Sequence, residues 1–158
     1  MIIAGTGHRP NKLGGYSKQA SRRIYDVAKH YLDTMEPDGV ISGLALGWDM
    51  ELAEAALDLC IPLTCAIPFA GQESRWPKES QDRWNKIVKH ATYTHIVSEG
   101  GYAPWKMQTR NIWMVDNCDL VLALWDGSDG GTGNCIKYAN KIDKPIVNLW
   151  DKYNGTGN

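Results

Sequence analysis

Apolar and polar positions follow two periods along this chain, and the two take turns from one end to the other. Short apolar runs read as strands at 2–5, 39–42, 63–67, 93–97, 120–125 and 146–149. Between them, apolar residues recur three or four positions apart. Ala20, Ile24, Val27 and Tyr31 line one face of a helix that Ser17 is placed to cap and that must end before Pro37. Ala53, Ala56, Leu57 and Cys60 form a second stripe, ended by Pro62, and Trp84, Ile87, Val88 and Ala91 form a third. A weaker fourth helix runs over roughly 107–117, closed by Asp116 and Asn117. A fifth begins near Thr132 and turns Ile136, Ala139 and Ile142 inward. Strands alternating with helices predict an α/β fold, a Rossmann-like three-layer α/β/α domain with a mainly parallel sheet. One domain is expected over 1–150, with 151–158 as a flexible tail.

In an open parallel sheet, ligands sit at the carboxyl ends of the strands where the strand order reverses. The segments richest in glycine and in chemistry fall at those ends. The first strand empties into Gly5-Thr6-Gly7-His8-Arg9-Pro10, where small residues allow close approach and Thr6, His8 and Arg9 offer donors to an anion. The second is followed by Ser42-Gly43-Leu44-Ala45-Leu46-Gly47-Trp48-Asp49, in which Ser42 and Asp49 are the polar groups. Asp49 stands where a helix N-cap is expected, so it either satisfies orphan N–H groups or contacts a ribose hydroxyl. The fifth is followed by Asp126-Gly127-Ser128-Asp129-Gly130-Gly131-Thr132-Gly133-Asn134, just ahead of a helix. There backbone N–H groups, the helix dipole and a hydroxyl can converge on one phosphate.

Two further loops add side chains. In the segment 68–77, Glu73 is a candidate acid–base carboxylate beside Arg75. In 100–111, Arg110 is placed to grip a phosphate bidentately. The ligand-binding set is thus Gly5, Thr6, Gly7, His8, Arg9, Ser42, Gly43, Gly47, Asp49, Arg110, Asp126, Gly130, Gly131 and Thr132. Should the chain be catalytic, the candidates are Glu73, Asp49, Asp126 and Arg110. No Walker loop, Gly-x-Ser-x-Gly elbow or His-Glu-x-x-His pattern occurs. His8, His30, His90 and His95 lack metal-ligand spacing, so neither a metal nor a cofactor is expected.

Seventeen basic residues against eighteen acidic ones make broad, sequence-independent nucleic-acid binding unexpected. No apolar stretch has the length of a membrane span, and Met1 leads straight into a strand, so a cytoplasmic protein is expected. Cys60, Cys65, Cys118 and Cys135 sit in or beside apolar runs and read as buried reduced thiols. Seven tryptophans accompany one phenylalanine. Trp48, Trp76 and Trp105 lie in loop-like segments as stacking faces or interface anchors, and with the tyrosines they suggest a homo-oligomer.

The first loop, the segment 42–49, Arg110-Asn111 with Met114-Val115-Asp116, and Trp125-Asp126-Gly127 followed by Gly130-Gly131-Thr132 together resemble the SLOG superfamily, named for the DNA-processing and LONELY GUY proteins. Within it they are most like the small bacterial and phage-type group that includes YpsA-like proteins. The resemblance implies a Rossmann-like fold that binds a nucleotide or a nucleotide-derived (phospho)ribosyl ligand, sensing or sequestering it. The alternative it implies is an N-glycosidase, a phosphoribohydrolase acting on a nucleoside monophosphate. In such hydrolases an Arg and a Glu after a glycine-rich loop carry the chemistry. Arg110 is similar to that Arg, but the positions for the Glu hold Cys135, Ile136 and Lys137. Glycoside cleavage needs a carboxylate, so binding without cleavage is the first expectation.

Overall fold

The structure is a computed structural model and describes residues 1–155. Six strands, β1 (Ile2–Gly7), β2 (Gly39–Ser42), β3 (Leu63–Ile67), β4 (Tyr93–Ile96), β5 (Leu120–Leu124) and β6 (Ile146–Asn148), form one sheet. Its order is β4-β3-β2-β1-β5-β6, and every neighbouring pair is parallel. The helices are α1 (Lys18–Met35), α2 (Trp48–Asp58), α3 (Lys78–His90), α4 (Trp105–Asp116), α5 (Gly131–Lys141) and the short α6 (Trp150–Tyr153).

The inner strands are apolar at nearly every position because both faces are covered. On one face Ile3, Val40, Leu63 and Leu122 pack with Ile24 and Leu32 of α1, Leu52 and Ala56 of α2, and Ile87 of α3. On the other, Ala4, Ile41, Ala66, Val121 and Ala123 pack with Met114 and Val115 of α4 and Ile136 and Ala139 of α5. Successive strand residues therefore feed opposite cores, as the period of two requires. The result is the expected three-layer α/β/α sandwich, and its sheet is parallel throughout.

Local signals account for the helix ends. Ser17 Oγ accepts from Ala20 N at 3.1 Å, and α1 closes at Glu36, which adopts a left-handed φ of 46°. Four details depart from the sequence expectations. Gly47, not Asp49, is the residue at the start of α2, so Asp49 lies inside its first turn. Cys60 is exposed, while the other three cysteines are buried. Ile142 falls one residue beyond α5 and is exposed rather than inward. The segment read as a tail from 151 begins instead inside α6: Tyr153 is buried, Arg23 Nη2 donates to its carbonyl at 3.0 Å, and that guanidinium lies over its ring. Asn154 and Gly155 are exposed, and the remainder of the tail, 156–158, lies outside the described residues. No helix among the described residues is long and apolar enough to cross a membrane.

Candidate functional site

The strand order reverses between β1 and β5, which run side by side with Gly7 opposite Leu124. Beyond that point β1 leads to α1 on one face, while β5 leads to α5 on the other. The chain therefore parts above the sheet and leaves a crevice of about 320 Å³. Thr6, Gly7, His8, Arg9 and Lys12 line it from the β1 side, Ala45 from the loop after β2, and Asp49 from the first turn of α2. Met107, Arg110 and Asn111 line it from α4, and residues 128–133 from the β5 loop.

The β5 wall is open. Gly130 stands at the start of α5 with φ 143°, and no side chain caps the helix. Cβ atoms at Gly127, Gly130 and Gly131 would meet nothing within 4 Å. The first-turn N–H groups of an eleven-residue helix thus face the crevice with the positive end of its dipole. Trp125 Nε1 donates to Ser128 O at 2.8 Å and fixes the loop that presents them. At the rim, His8 Nε2 lies 2.9 Å from Asp126 Oδ1, Lys12 Nζ donates to Ser128 Oγ at 2.7 Å, and Ser128 N donates to Asp126 Oδ1 at 2.9 Å. Hydrogen bonds from Ser128, reinforced by His8, hold the Asp126 carboxyl well below its ordinary range.

The opposite wall is packed. Arg110 reaches from α4 to the ends of β2 and β3, where Nη1 donates to Gly43 O at 2.6 Å and to Ala66 O at 3.4 Å. Its Nε donates to Asn111 Oδ1 at 3.1 Å. Those two nitrogens are committed, so a ligand meets the guanidinium only through Nη2, and a bidentate clamp on phosphate is not available in this arrangement. Beside it, Asp49 is 5% exposed, and its Oδ1 has no hydrogen-bond partner among the described residues. Burial pushes its carboxyl up to about 6, against the pull of Arg110, a backbone bond from Ala45, and Arg9.

Of the residues singled out in the sequence, the structure brings Thr6, Gly7, His8, Arg9, Asp49, Arg110, Gly130, Gly131 and Thr132 together around the crevice. Asp126 sits at its rim through His8. Gly5, Ser42, Gly43 and Gly47 lie beneath it. Gly5 leaves room for Leu52, Gly43 for the Arg110 guanidinium, and Gly47 for the His8 carbonyl, while Ser42 Oγ donates to Asp49 O at 2.7 Å. Glu73 does not line the crevice. It follows Gln72, whose amide donates to Gly43 O at 3.0 Å and accepts from Trp84 Nε1, on the far side of Gly43. Trp48 is wholly buried under Gly5 and Gly7, with Nε1 donating to Leu122 O at 3.2 Å, so it is core rather than a stacking face. Trp105 is exposed. Lys12, Ala45, Met107, Ser128, Asp129 and Gly133 line the crevice without having been singled out. Asn111 was visible only as part of the Arg110-Asn111 pair. No cluster of His, Cys, Asp and Glu that could hold a metal ion occurs among the described residues.

Known proteins resemble this chain in sequence or in fold. A UPF0398 protein from Bacillus pumilus is 30% identical over 160 residues, covering 92% of this chain and 86% of its own. DNA processing protein A from Helicobacter pylori, whose structure concerns its single-stranded DNA binding mode, superposes with a TM-score of 0.67 at 17% identity. The match covers 94% of this chain but only 64% of that one. The molybdenum cofactor binding protein from Rippkaea orientalis superposes with a TM-score of 0.61 at 15% identity, covering 98% and 85%. At such identities the two structures speak for the fold alone. Residues 3–145, from the first core strand to the threshold of the last, match the YpsA model, that of the YspA SLOG family, and the chain belongs to that family.

Proposed function

We propose that the crevice between β1 and β5 holds a nucleotide or nucleotide-derived phosphoribosyl ligand, which the protein senses or sequesters. One observation carries this reading. The uncapped start of α5 faces the crevice, and on the packed side of the same crevice a buried carboxylate oxygen of Asp49 lacks a partner. The first suits a phosphate, and the second suits a hydroxyl that donates to it. The volume fits the phosphoribosyl part of a nucleotide with the base toward solvent. Nucleic acid stays within the ligand classes of this fold, since the H. pylori relative binds single-stranded DNA. Here the near-zero net charge and the narrow crevice favour a small ligand.

A second reading, hydrolysis of the N-glycosidic bond, rests on Asp49. It is the buried carboxylate in the crevice, and a value near 6 suits general acid–base work. Binding is the better conclusion, because the positions where the superfamily's phosphoribohydrolases would carry their Glu hold Cys135, Ile136 and Lys137, none of them a carboxylate.

Calorimetric titration of the full chain with AMP and with ADP-ribose tests both. Binding by wild type, weakened at least a hundredfold in Gly131→Val with an unchanged circular dichroism spectrum, supports the site. Failure of every nucleotide to bind overturns it. Release of free base from a bound nucleotide, lost in Asp49→Asn, would establish the hydrolase instead.

A further inference from the structure

The long outer helices turn charge toward solvent, with one exception. Arg22, Asp26 and Lys29 are exposed along α1, and Lys78, Asp82 and Lys86 along α3. On α4, Lys106 and Arg110 are buried, and only Asp116 in the last turn is exposed. Lys106 Nζ is spent on Glu99 O and Gly101 O in the loop after β4, and Arg110 reaches the ends of β2 and β3. Opposite those two, Trp105, Thr109, Ile112 and Asp116 follow one another at steps of four, three and four, which is a seam along one helix face. Trp105 is 62% exposed, and Thr109 and Ile112 are partly buried. On the β4 side, Trp113 packs on His95 with ring centroids 4.7 Å apart, and His95 lies parallel to Tyr93, so a row of rings widens the seam.

The polar side chains bordering this face already have partners. Thr109 Oγ1 donates to Trp105 O at 3.2 Å, Gln108 Nε2 to Asn134 O at 3.3 Å, and Asn117 Nδ2 to Trp113 O at 2.7 Å. Asp116 Oδ1 accepts from Tyr138 Oη at 2.6 Å. Covering the face therefore strands none of these groups, and that is the usual cost of drying a polar surface. Two atoms are left over, at opposite ends of the seam. Trp105 Nε1 has no hydrogen-bond partner among the described residues, and the second oxygen of Asp116 is open to another donor.

Those leftovers select the occupant. When the seam is laid antiparallel on a copy of itself, with a two-fold axis between Thr109 and Ile112, Trp105 comes opposite Asp116 of the second copy and Thr109 opposite its Ile112. An indole N–H then meets a carboxylate at each end, and the smaller Thr109 makes room for Ile112. Parallel pairing would set Asp116 against Asp116 instead. With a net charge of −1, two copies repel little.

We infer that a second copy of this chain covers α4, in an antiparallel two-fold helix pair centred between Thr109 and Ile112. The contact falls at the low end of specific interfaces, about 1,200 Å² in total, so association belongs in the micromolar range. The inference does not depend on the proposed ligand.

Sedimentation velocity on the full chain, across micromolar concentrations and without ligand, tests it. Wild type should pass from monomer to dimer over that range. Thr109→Lys and Ile112→Glu each bring an unmatched charge to the seam, and each alone should weaken association at least tenfold while keeping the wild-type circular dichroism spectrum. An equimolar mixture of the two should restore the dimer, because Lys then faces Glu across one half of the axis and the other half keeps the wild-type pair. A wild type that stays monomeric overturns the inference and leaves the face to a different partner. A dimer indifferent to both substitutions, or a mixture that stays monomeric, overturns it as well. Should either variant misfold, Trp105→Glu gives the contrast from an exposed position. It sets like charges together at both ends of the seam and should weaken the dimer at least tenfold, and adding Asp116→Lys to the same chain should recover it. No recovery there also overturns the inference.

Discussion

The two walls of the crevice are built from the same kind of loop, glycine-rich and placed after a parallel strand, yet their glycines are there for opposite reasons. On the β1 and β2 side the missing side chain is filled by protein. A Cβ on Gly7 would lie 2.5 Å from the Trp48 indole, one on Gly43 2.3 Å from Arg110, and one on Gly47 2.5 Å from the His8 carbonyl oxygen. On the β5 side, Cβ atoms at Gly127, Gly130 and Gly131 would meet nothing. A packed glycine reports how closely two parts of the fold approach, and an unpacked one marks where something else can come near. Only the second wall is shaped for a ligand's own atoms.

Substitution can break that contrast, and the largest effect falls on the packed wall. Gly7→Val drives two methyl groups into a wholly buried indole, and overpacking of this kind costs about 3 kcal/mol or more. Chemical denaturation should show a loss of that size or no folded protein. Arg110→Ala comes next. It takes from the Gly43 carbonyl the charged one of its two donors, leaving the Gln72 amide, a loss of about 1.5–3 kcal/mol for a hydrogen bond to a charged group, and it also removes a charge from the crevice. Stability and nucleotide affinity should fall together.

Asp49→Asn is of similar size but opposite sign. The Asp49 carboxyl titrates at about 6 in the folded chain against an ordinary 3.8, so the folded state binds the proton more tightly. Its contribution is greatest below pH 4 and is lost as pH rises to 6. The amide should therefore stabilise the protein at pH 7 by at most about 3 kcal/mol, flatten the pH dependence of stability between 4 and 6, and weaken nucleotide binding. A variant neither more stable nor flatter in pH would show that Asp49 is not held at a cost. The smallest effect on stability belongs to Gly131→Val, whose melting temperature should stay within about 2 °C of wild type while its binding is lost.

The strands were legible because a parallel sheet covered on both faces has to be apolar at successive positions, and five of the six end within one residue of the expected limits. β1 runs on through Gly7 because its last residues pair with Ala123 and Leu124 of β5, a contact the local sequence does not announce. The β5 loop was legible for a related reason, since glycines directly ahead of a helix leave its first N–H groups bare. The packed wall was harder to read. Asp49 looks like a cap by position, but Trp48 must enter the helix to reach its place under Gly5 and Gly7, and this moves the boundary to Gly47. Glu73 has the chemistry of an active-site carboxylate, but its loop follows β3, two strands away from the reversal point. Arg110 reads as a free cation in one dimension and proves to be a brace between two strand ends. Lys12 and Ser128 are 116 positions apart, so their bond across the rim left no mark on the sequence.

The pairing of β1 with β5 also governs when the crevice can exist. Ile3 lies opposite Leu120, so the two walls come from the first and the last thirds of the chain, and no shorter segment holds both. Loop closure over that distance is slow compared with forming the β1–α1–β2 unit, whose strands are joined by a single helix. During synthesis, β1 therefore waits beside β2 with its other edge bare until residue 124 and its loop have left the ribosome. The central strand of the finished sheet is, for most of the chain's emergence, an exposed edge. A nascent chain arrested short of β5 carries a nearly complete half-sheet with no binding crevice and an apolar strand open to the wrong neighbour.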